Sequence, residues 1–342
     1  MTWTSSGARR GATMTIKELA ERVGVSPAMI SRYLNNGYVS EENRAKIAAA
    51  IEETGFTPSR QARNLRTGKT SLVGVVVPKI STETIGRVTA GVEEVLGRQG
   101  YQMILGNTDN DASAELDYLR LFERYPVDGM ILVATEVTPA HERFLRESKT
   151  PVVVIGQRVP GVNCVYHDDE GAAFELGRRV AEKRPGASAA MIWVTEKDRA
   201  VGIERRDGML AGLATGGIEV PDARVRKAAF TTASGYEQTH LLLEDPATPA
   251  LDLVCCATDL IAAGAMKAVL ERYGEPAGTG NAPLVTGFGD NELAQAVSGG
   301  FPTVHLGNRT SGVRGAEALI SLMENPRTMP ASTMLGFRVV NA

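Results

Sequence analysis

Short apolar runs alternate with amphipathic segments from Ser71 almost to the C terminus, and this alternation is the feature that most constrains the fold. Runs such as Leu72–Val77 are typical of buried strands, whereas Glu83–Gln99 repeats its apolar residues at helical spacing. Such alternation predicts parallel sheets joined by right-handed crossovers. Ten predicted strands divide into two groups near Tyr166, so the sequence predicts two doubly wound α/β lobes with a cleft between them. The predicted strands are Leu72–Val77, Gln102–Gly106, Gly129–Ala134, Val152–Ile155, Asn163–Tyr166, Ala189–Val194, Val225–Phe230, Leu253–Ala257, Leu284–Phe288 and Thr303–His305.

The first seventy residues have a different pattern, which is that of short capped helices. Thr15 and Glu18 form a capping box, in which each side chain bonds the backbone amide of the other residue. A second predicted helix starts at Ser26-Pro27 and a third at Ser40, residue types that favour the beginning of a helix. Two helices joined by a four-residue turn, with a third helix as support, are the layout of a helix-turn-helix.

Charge is distributed unevenly along the 342 residues. The formal net charge is −3, yet residues 1–70 hold 11 Lys and Arg against 6 Asp and Glu. The rest of the chain holds 26 basic and 34 acidic residues. A basic head on an acidic body indicates a polyanion as the partner of the head alone, although a solvated charged face would give the same counts.

Composition argues against several classes of protein. No stretch approaches the roughly 18 apolar residues of a membrane span, and residues 1–13 lack the apolar core of a secretory signal. Three cysteines, two of them adjacent, are too few for a disulfide framework. We therefore expect a cytoplasmic protein with reduced thiols and no membrane partner.

The sequence also lacks the residues of a catalytic or metal centre. Gly68-Lys69-Thr70 is similar to the end of a phosphate-binding loop, but Arg63 stands where that motif needs its first glycine. The four histidines have no metal-ligand spacing with the cysteines. His167 beside Asp168 is not followed by a nucleophile at a recognised elbow. We expect no enzymatic activity, no cofactor and no metal.

Head and body together resemble the lactose-repressor/galactose-repressor (LacI/GalR) family of transcription regulators. The stretch MTIKELAERVGVSPAMISRYLNN matches the family's TIxDVAxxAGVSxxTVSRxLN, and GFTPSRQARNLRTG matches its hinge. The likeness continues through LVGVVVP, Asp128-Gly129-Met130-Ile131 and Cys256-Ala257-Thr258-Asp259 to Gly287-Phe288. Within the family, GFTPSRQAR, VNCVYHDDEGA and LVCCATD are most similar to trehalose and sucrose regulon repressors.

This resemblance implies a helix-turn-helix head and a periplasmic-binding-protein-like body with two lobes of doubly wound parallel sheets. It also implies a homodimeric repressor whose affinity for a palindromic operator in double-stranded DNA responds to a small carbohydrate. The expected divisions are a disordered extension at 1–13, a helix-turn-helix domain at 14–57, a hinge helix and linker at 58–70, and an effector-binding and dimerisation domain at 71–342. In that domain, the first lobe is expected at about 71–166 with a later crossover near 295–325, and the second at about 167–294 with the C-terminal segment.

The second helix is the element that reads DNA in this family. Here its start carries Pro27 and Ala28, which offer apolar contacts to a thymine methyl group. Arg32 is able to bond guanine O6 and N7 at once, and a salt bridge with Glu41 or Glu42 is the alternative. Short polar side chains suit phosphate oxygens and position the head, and these are Thr15, Ser26, Ser31 and Asn35.

The hinge supplies a second expected contact with DNA. Ser59–Leu65 has room for two helical turns with Arg60 and Arg63 on one face, and a helix this short is not stable alone. In the family the hinge helix docks in the minor groove and a leucine enters between the central base pairs. Leu65 occupies the matching position, and packing of Leu65 on the body is the alternative.

The cleft is the expected effector site, because ligands bind at the carboxyl ends of parallel strands. By resemblance, Arg205 matches the family arginine that binds sugar hydroxyl groups, for which its planar fork is suited. Asp169 also starts a predicted helix, so N-capping is an alternative role for it. The other candidates follow predicted strands and are Thr82, Thr84, Asn107, Thr135, Gln157, Arg158, Asp169, Thr258, Asp259 and Asp290.

The identity of the effector stays open at the level of the sequence. Thr84 and Ile85 stand where many family members have two phenylalanines, so a stacking surface would have to come from elsewhere. Candidates for that surface, unless they are core residues, are Tyr166, Trp193, Phe230 and Phe288. The resemblance favours trehalose, trehalose 6-phosphate or sucrose. A sugar-binding protein without a DNA role, and a family member that answers to a non-sugar effector, are the alternatives.

Overall fold

The computed structural model describes residues 14–35, 37–56, 69–125 and 127–342. Contacts divide the chain into two units, one up to Thr70 and the other from Ser71 to Ala342. The predicted extension 1–13 and the hinge residues Arg60, Arg63 and Leu65 lie outside the described residues.

The first unit contains the three predicted helices, α1 (Ile16–Val23), α2 (Pro27–Leu34) and α3 (Glu41–Thr54). The capping box of α1 is present, because the Thr15 amide donates to Glu18 Oε2 at 2.7 Å and the Glu18 amide donates back to Thr15 Oγ1 at 3.2 Å. Leu19, Ile30, Ile47 and Phe56 are buried together between the helices. Burial of these apolar side chains holds the helices in the helix-turn-helix arrangement.

One predicted cap of this unit differs in detail. Ser40 is the residue before α3, as expected, but its hydroxyl makes no bond to a backbone amide of the helix. Instead, Ser40 Oγ is 3.1 Å from the Asn43 side-chain amide. The Ser40 hydroxyl group therefore accepts from a side-chain amide, whereas the hydroxyl group of an N-cap residue would accept from a backbone amide of the helix.

The second unit begins with a six-stranded parallel sheet that forms the first lobe. Its strands are β1 (Leu72–Val77), β2 (Gln102–Asn107), β3 (Gly129–Val133), β4 (Val152–Ile155), β5 (Asn163–His167) and, from the C-terminal part of the chain, β11 (Ser332–Leu335). The order in the sheet is β11-β5-β4-β3-β1-β2. Its helices are α4 (Glu83–Arg98), α5 (Ala112–Arg124), α6 (Pro139–Glu147) and the late crossover α12 (Asn308–Glu324). Every residue of β3 and β4 is buried, as expected for central strands covered on both faces.

A four-stranded parallel sheet forms the second lobe, in the order β7-β6-β8-β9. Its strands are β6 (Ala189–Trp193), β7 (Val225–Lys227), β8 (Leu253–Cys256) and β9 (Leu284–Thr286). The helices of this lobe are α7 (Asp169–Lys183), α8 (Arg205–Ala214), α9 (Thr232–Glu244), α10 (Asp259–Tyr273) and α11 (Glu292–Ser298). A wide π-type turn, Arg199–Glu204, leads directly into α8. Two doubly wound lobes with parallel sheets therefore confirm the predicted fold class.

The C-terminal part corrects two expectations. β10 (Thr303–Leu306) does not extend the second parallel sheet but pairs antiparallel with β12 (Phe337–Val340). β11 (Ser332–Leu335) adds to the first sheet beside β5, although the C-terminal segment was expected in the second lobe. The described residues thus form twelve strands in three sheets instead of ten in two. β11 was missed because it is an edge strand whose first three residues are exposed, which leaves little apolar signal.

Close helix packing joins the crossover α12 to α4. A Cβ atom at Gly91 would overlap the carbonyl oxygen of Arg309, and one at Gly312 would overlap that of Val88. Glycine at both positions lets the two backbones touch, which fixes α4 against the rest of the lobe.

In the part of the chain that the structure describes, no helix is long and apolar enough to cross a membrane. Nor do three or more His, Cys, Asp or Glu side chains of these ranges come together as a possible metal site.

Candidate functional site

A cavity of about 210 Å³ lies between the two lobes at the carboxyl ends of their strands. Most of its wall surface is apolar and comes from side chains that include Ile85, Val88, Val133, Ile155, Phe230 and Leu306. Polar and charged side chains also line it, and this combination is typical of a small-molecule site in which fixed polar groups orient the ligand.

Arg205, the first residue of α8, is the principal cation of the cavity. Its Nε and Nη2 donate to Asp169 Oδ1 at 3.0 and 2.5 Å, and its Nη1 donates to the Ala257 carbonyl at 2.7 Å. Both side chains of the pair are about 95% buried. The guanidinium also lies over the Phe288 ring, 4.6 Å from its centre. These contacts fix the planar fork in one orientation, with one N–H on each terminal nitrogen left for a ligand.

The N-cap of α7 is Asp168 and not Asp169, for which capping was the alternative role. Asp168 Oδ1 accepts the amide of Gly171 at 2.9 Å and so caps α7. Asp169 is one residue further into the helix, and its carboxylate is thereby available to Arg205.

Asp198 is a second buried carboxylate of the cavity, and the sequence did not indicate it. Its Oδ1 accepts Gln157 Nε2 at 2.8 Å and the Val201 amide at 3.0 Å. Burial raises the pKa of Asp198 to about 6, against the lowering effect of these two hydrogen bonds. Gln157 also donates to the Thr135 carbonyl at 3.0 Å, so this amide connects the first lobe to the second.

His167 at the end of β5 presents an unsatisfied nitrogen. The side chain lines the cavity and is 92% buried, and its Nε2 has no hydrogen-bond partner among the described residues. Burial lowers the pKa of His167, which favours the neutral imidazole. A buried polar atom without a partner is costly, so a ligand hydroxyl group is a natural partner for it.

Of the eleven residues expected to bind an effector, seven line this cavity: Thr82, Thr84, Thr135, Gln157, Asp169, Arg205 and Thr258. The other four do not line it. Asn107 lies on the edge strand β2, where it accepts the Ile80 amide at 2.8 Å, and Arg158 is exposed. Asp259 is used within the second lobe by Thr303 at 2.6 Å and by the Asn291 amide at 2.7 Å. Asp290 has a left-handed backbone conformation (φ 49°), and its Oδ2 is hydrogen-bonded to His305 Nδ1 at 2.9 Å.

Besides the expected residues, Asp198 and His167, the polar side chains at the wall are Lys79, Asn110, Asn308 and Ser311. Two of the four candidates for a stacking surface, Phe230 and Phe288, also line the cavity. Phe230 and Phe288 are the aromatic side chains at the wall, while Trp193 packs behind Phe288 with the ring centres 6.4 Å apart. Ile85 stands at one of the two positions where many family members have a phenylalanine, and its side chain is buried.

The helix-turn-helix unit exposes the residues that were expected to read bases. Pro27, Ala28 and Arg32 are exposed on α2. Arg32 makes no ion pair with Glu41 or Glu42 within the described residues, and Glu42 pairs instead with Lys46 at 2.7 Å. Arg32 is thus exposed on the second helix, which is the helix that enters the major groove in motifs of this kind.

The short polar residues of the unit have local roles that are compatible with phosphate contact. Ser26 accepts the Met29 amide at 3.3 Å and caps α2. Asn35 donates to the Ser31 carbonyl at 2.6 Å, and Thr15 belongs to the capping box of α1. Thr15, Ser26 and Asn35 lie at the ends of helices and Ser31 lies within α2, and short polar side chains of this kind are able to bond phosphate oxygens.

A helix-turn-helix unit followed by a two-lobed α/β body with a ligand-sized cavity defines the class of ligand-responsive DNA-binding regulators. Residues 15–59 match the family model described as bacterial regulatory proteins, lacI family. Residues 70–296 match the model for periplasmic binding proteins and sugar binding domain of LacI family. The chain belongs to the LacI family of DNA-binding transcription regulators, which confirms the predicted resemblance.

Individual relatives agree with this assignment. The chain is 29% identical over 309 residues to a sucrose operon repressor from Staphylococcus xylosus, which covers 90% of this chain and 92% of the relative. It is 30% identical over 276 residues to the HTH-type transcriptional regulator TreR of Salmonella typhimurium, covering 80% and 84%. The lac repressor bound to ONPG in its repressed state has a TM-score of 0.84 at 19% identity over 96% of this chain and 98% of that chain, which shows a shared fold.

Proposed function

We propose that this regulator is a homodimeric repressor of carbohydrate-utilisation genes whose affinity for a palindromic operator is controlled by a sugar bound between its lobes. The observation that carries the proposal is the cavity in which fixed Arg205, buried Asp198 and the unpartnered Nε2 of His167 meet. Residues 14–57 would bind DNA, 58–70 would form the hinge, and 71–342 would bind effector and partner subunit. In this proposal the protein has no catalytic role.

The chemistry of the cavity supports a polyhydroxy ligand. A sugar hydroxyl group both donates and accepts, so it is able to satisfy the remaining N–H groups of Arg205 and the acceptor atoms of Asp198 and His167. The apolar walls suit the C–H faces of a sugar ring. The effector residues that we propose are therefore the seven expected residues that line the cavity, together with Asp198 and His167.

The charge balance favours an uncharged sugar over a sugar phosphate. The positive charge of Arg205 is already offset by Asp169 at 2.5 Å. Lys79 is 3.8 Å from Asp109, so its charge is partly offset as well. A phosphate would therefore meet little net positive charge in the cavity. Of trehalose, trehalose 6-phosphate and sucrose, trehalose and sucrose fit better, and the name of the Staphylococcus xylosus relative agrees with sucrose.

On the DNA side, we propose that Arg32 reads a guanine, that Pro27 and Ala28 make apolar base contacts, and that the remaining contacts position the protein. Phosphate contacts are assigned to Thr15, Ser26, Ser31 and Asn35. In the hinge we assign Arg60 and Arg63 to the minor groove and Leu65 to the wedge between base pairs. Since one helix-turn-helix reads only a few base pairs, two subunits on a palindrome are needed for specificity.

A specific surface supports the dimer. Leu293 and Val297 are 70% and 75% exposed, and their spacing of four places them on one face of α11. A partner subunit that covered this face of α11 would bury both apolar side chains.

Two titrations of the full chain test the proposal. An operator is first selected from a pool of random-sequence DNA, and a palindromic consensus is expected. Fluorescence of Trp193, which packs behind the cavity residue Phe288, then reports binding of sucrose, trehalose or trehalose 6-phosphate, with Trp3→Phe as the background that removes the other tryptophan. Selection of no consensus would leave a sugar-binding protein without a DNA role.

A second candidate is a family member that answers to a non-sugar effector. The predominance of apolar surface in the cavity walls favours this alternative. A ligand without hydroxyl groups that binds in the same fluorescence titration, when none of the three sugars does, would establish it.

A further inference from the structure

Glu83 belongs to the first lobe but binds the second. It is the first residue of α4 and lies between Thr82 and Thr84, which both line the cavity. Its carboxylate accepts a hydrogen bond from the Asn291 side-chain amide, and the Glu292 backbone amide donates to its Oε2 at 3.2 Å. The start of α11 is therefore held by a carboxylate from the opposite lobe.

Arg87 strengthens the same contact. It lies one turn after Glu83 on α4 and forms an ion pair with it. Arg87 Nη1 also approaches the Asp290 carbonyl of the second lobe at 3.4 Å. Glu83, Arg87 and Asn291 thus form one cluster, here called the clasp, in which two charged side chains from the first half of α4 reach across to the segment before α11.

Asn291 is held in a defined orientation by its own lobe. Its side-chain oxygen caps α11 by accepting the Ala294 amide at 2.8 Å, so its Nδ2 faces Glu83. Its backbone amide donates to Asp259 Oδ2 at 2.7 Å, and Asp259 follows the cavity residue Thr258. In the first lobe, Glu83 and Arg87 are therefore each next to a cavity residue in the sequence. In the second lobe, Asn291 bonds a residue that is itself next to a cavity residue.

The helix that the clasp holds carries an exposed apolar face. Leu293 and Val297 on α11 face solvent, whereas Ala294 belongs to the core of the second lobe. Because α11 is short and anchored at its first turn from both lobes, a change in the distance between the lobes will move its exposed face.

We propose that Glu83 and Asn291 are positioning residues that couple the effector cavity to the exposed face of α11, and so to the binding of DNA by the dimer. The proposal rests on the proposed function, since it names a route by which that function is regulated. It assigns no ligand contact to either residue.

Four variants of the full chain test the clasp. Glu83→Gln removes the ionic partner of Arg87, and Asn291→Asp keeps the cap on Ala294 but replaces the donor by a second carboxylate. In the double variant, the new amide at position 83 is able to donate to the new carboxylate at position 291. Glu142→Gln is the matched control, because it breaks the 3.1 Å pair with Arg146 on α6 without a contact to the second lobe.

The measurements are the dissociation constant for the selected operator, with and without the sugar that changes the Trp193 fluorescence of the parent, and the midpoint of thermal unfolding. We expect each single clasp variant to reduce at least fivefold the factor by which the sugar changes the operator dissociation constant, the double variant to recover most of that factor, and the control to stay within twofold of the parent. Single variants in which the sugar acts within twofold of its effect on the parent would overturn the clasp. So would a double variant that is no better than the single variants. A contact that only stabilises the fold would lower the midpoint of unfolding in the single variants and leave the effect of the sugar unchanged. A parent that selects no operator contradicts the proposed function itself, so the two failures are distinguishable.

Discussion

Gln157 of the first lobe donates a hydrogen bond to Asp198 of the second lobe, with 2.8 Å between Nε2 and Oδ1. The contact lies in the wall of the cavity, and the Asp198 carboxylate is almost completely buried there. A buried carboxylate whose pKa is raised to about 6 is charged at neutral pH only at a cost in folding free energy. The Asp198 carboxylate therefore supplies a hydrogen-bond acceptor to the cavity and lowers the stability of the fold at neutral pH.

Replacement of this carboxylate is expected to change how stability depends on pH. The pKa of Asp198 is about 6 in the folded chain and lies near 4 in an unfolded one, so the folded state binds the extra proton between these values. The contribution of Asp198 to stability therefore falls as the pH rises from about 4 to about 6. Asp198→Asn removes this loss and should be more stable than the parent above pH 6 by about 2 to 3 kcal/mol.

Urea unfolding of the two chains at pH 4 and pH 7.5 measures this effect. The difference between them should be small at the lower pH, where Asp198 is protonated in the folded state and about half protonated in the unfolded state. An equal difference at both pH values would show that the substitution acts through packing and not through charge.

Arg205→Ala is expected to weaken the effector at least tenfold, because charge-assisted hydrogen bonds are worth about 1.5 to 3 kcal/mol and 1.4 kcal/mol is a factor of ten. The change also leaves Asp169 without its cation, so Arg205→Lys is the control that keeps the charge but not the planar fork. Calorimetric titration with the sugar that binds the parent gives both affinities. Parental affinity in both variants would remove Arg205 from the site.

Arg32→Ala should lower discrimination between operator and random DNA by about 1 to 3 kcal/mol per half-site. Arg22→Ala is the control, because Arg22 is an exposed arginine of the same unit that pairs with Glu53 at 2.7 Å. Anisotropy titrations on both DNAs measure the ratio of affinities. Equal losses on operator and random DNA would mean that Arg32 contacts only phosphate.

Two glycines of α4 should respond oppositely to alanine. Gly86 is exposed with open space where a Cβ would be, so Gly86→Ala should stabilise the chain by up to about 1 kcal/mol through helix propensity. Gly91→Ala places a methyl group against the backbone of α12 and should destabilise it by about 1 to 3 kcal/mol. Chemical denaturation compares the two, and a stable Gly91→Ala variant would contradict the close packing of α4 on α12.

The parallel sheets were predictable because central strands covered on both faces are continuous apolar runs, as in Gly129–Val133. β11 and β12 were not, since edge strands that pair with distant segments carry no such run. Their partners, β5 and β10, are fixed by tertiary packing and not by local sequence.

The candidate site was predictable to the level of which strand ends supply it. Thr82, Thr135 and Thr258 follow strands and line the cavity. Asp259 occupies an equivalent position in the sequence, but its carboxylate is turned to Thr303 and Asn291. The direction of a side chain after a strand depends on the turn that follows, and a one-residue difference in that turn changes what it faces.

Asp198 and His167 line the cavity although the sequence did not predict them as binding residues. Asp198 reaches the cavity because it caps the π-type turn before α8, a geometry that its sequence neighbours do not indicate. His167 lies one residue beyond the predicted end of its strand. That its Nε2 is buried without a hydrogen-bond partner follows from the packing around the side chain and not from the sequence.

The most direct measurement is a titration of the selected operator and of random DNA with the full chain, in the presence and absence of each sugar that changes Trp193 fluorescence. We expect the operator to be preferred at least about 10³-fold and a bound sugar to change its dissociation constant by about 5- to 150-fold. At a concentration that half-saturates the parent, the same sugar should have little effect on the operator affinity of Arg205→Ala. Equal affinity for the two DNAs, or an operator affinity that no cavity ligand alters, would contradict a ligand-controlled, sequence-specific regulator.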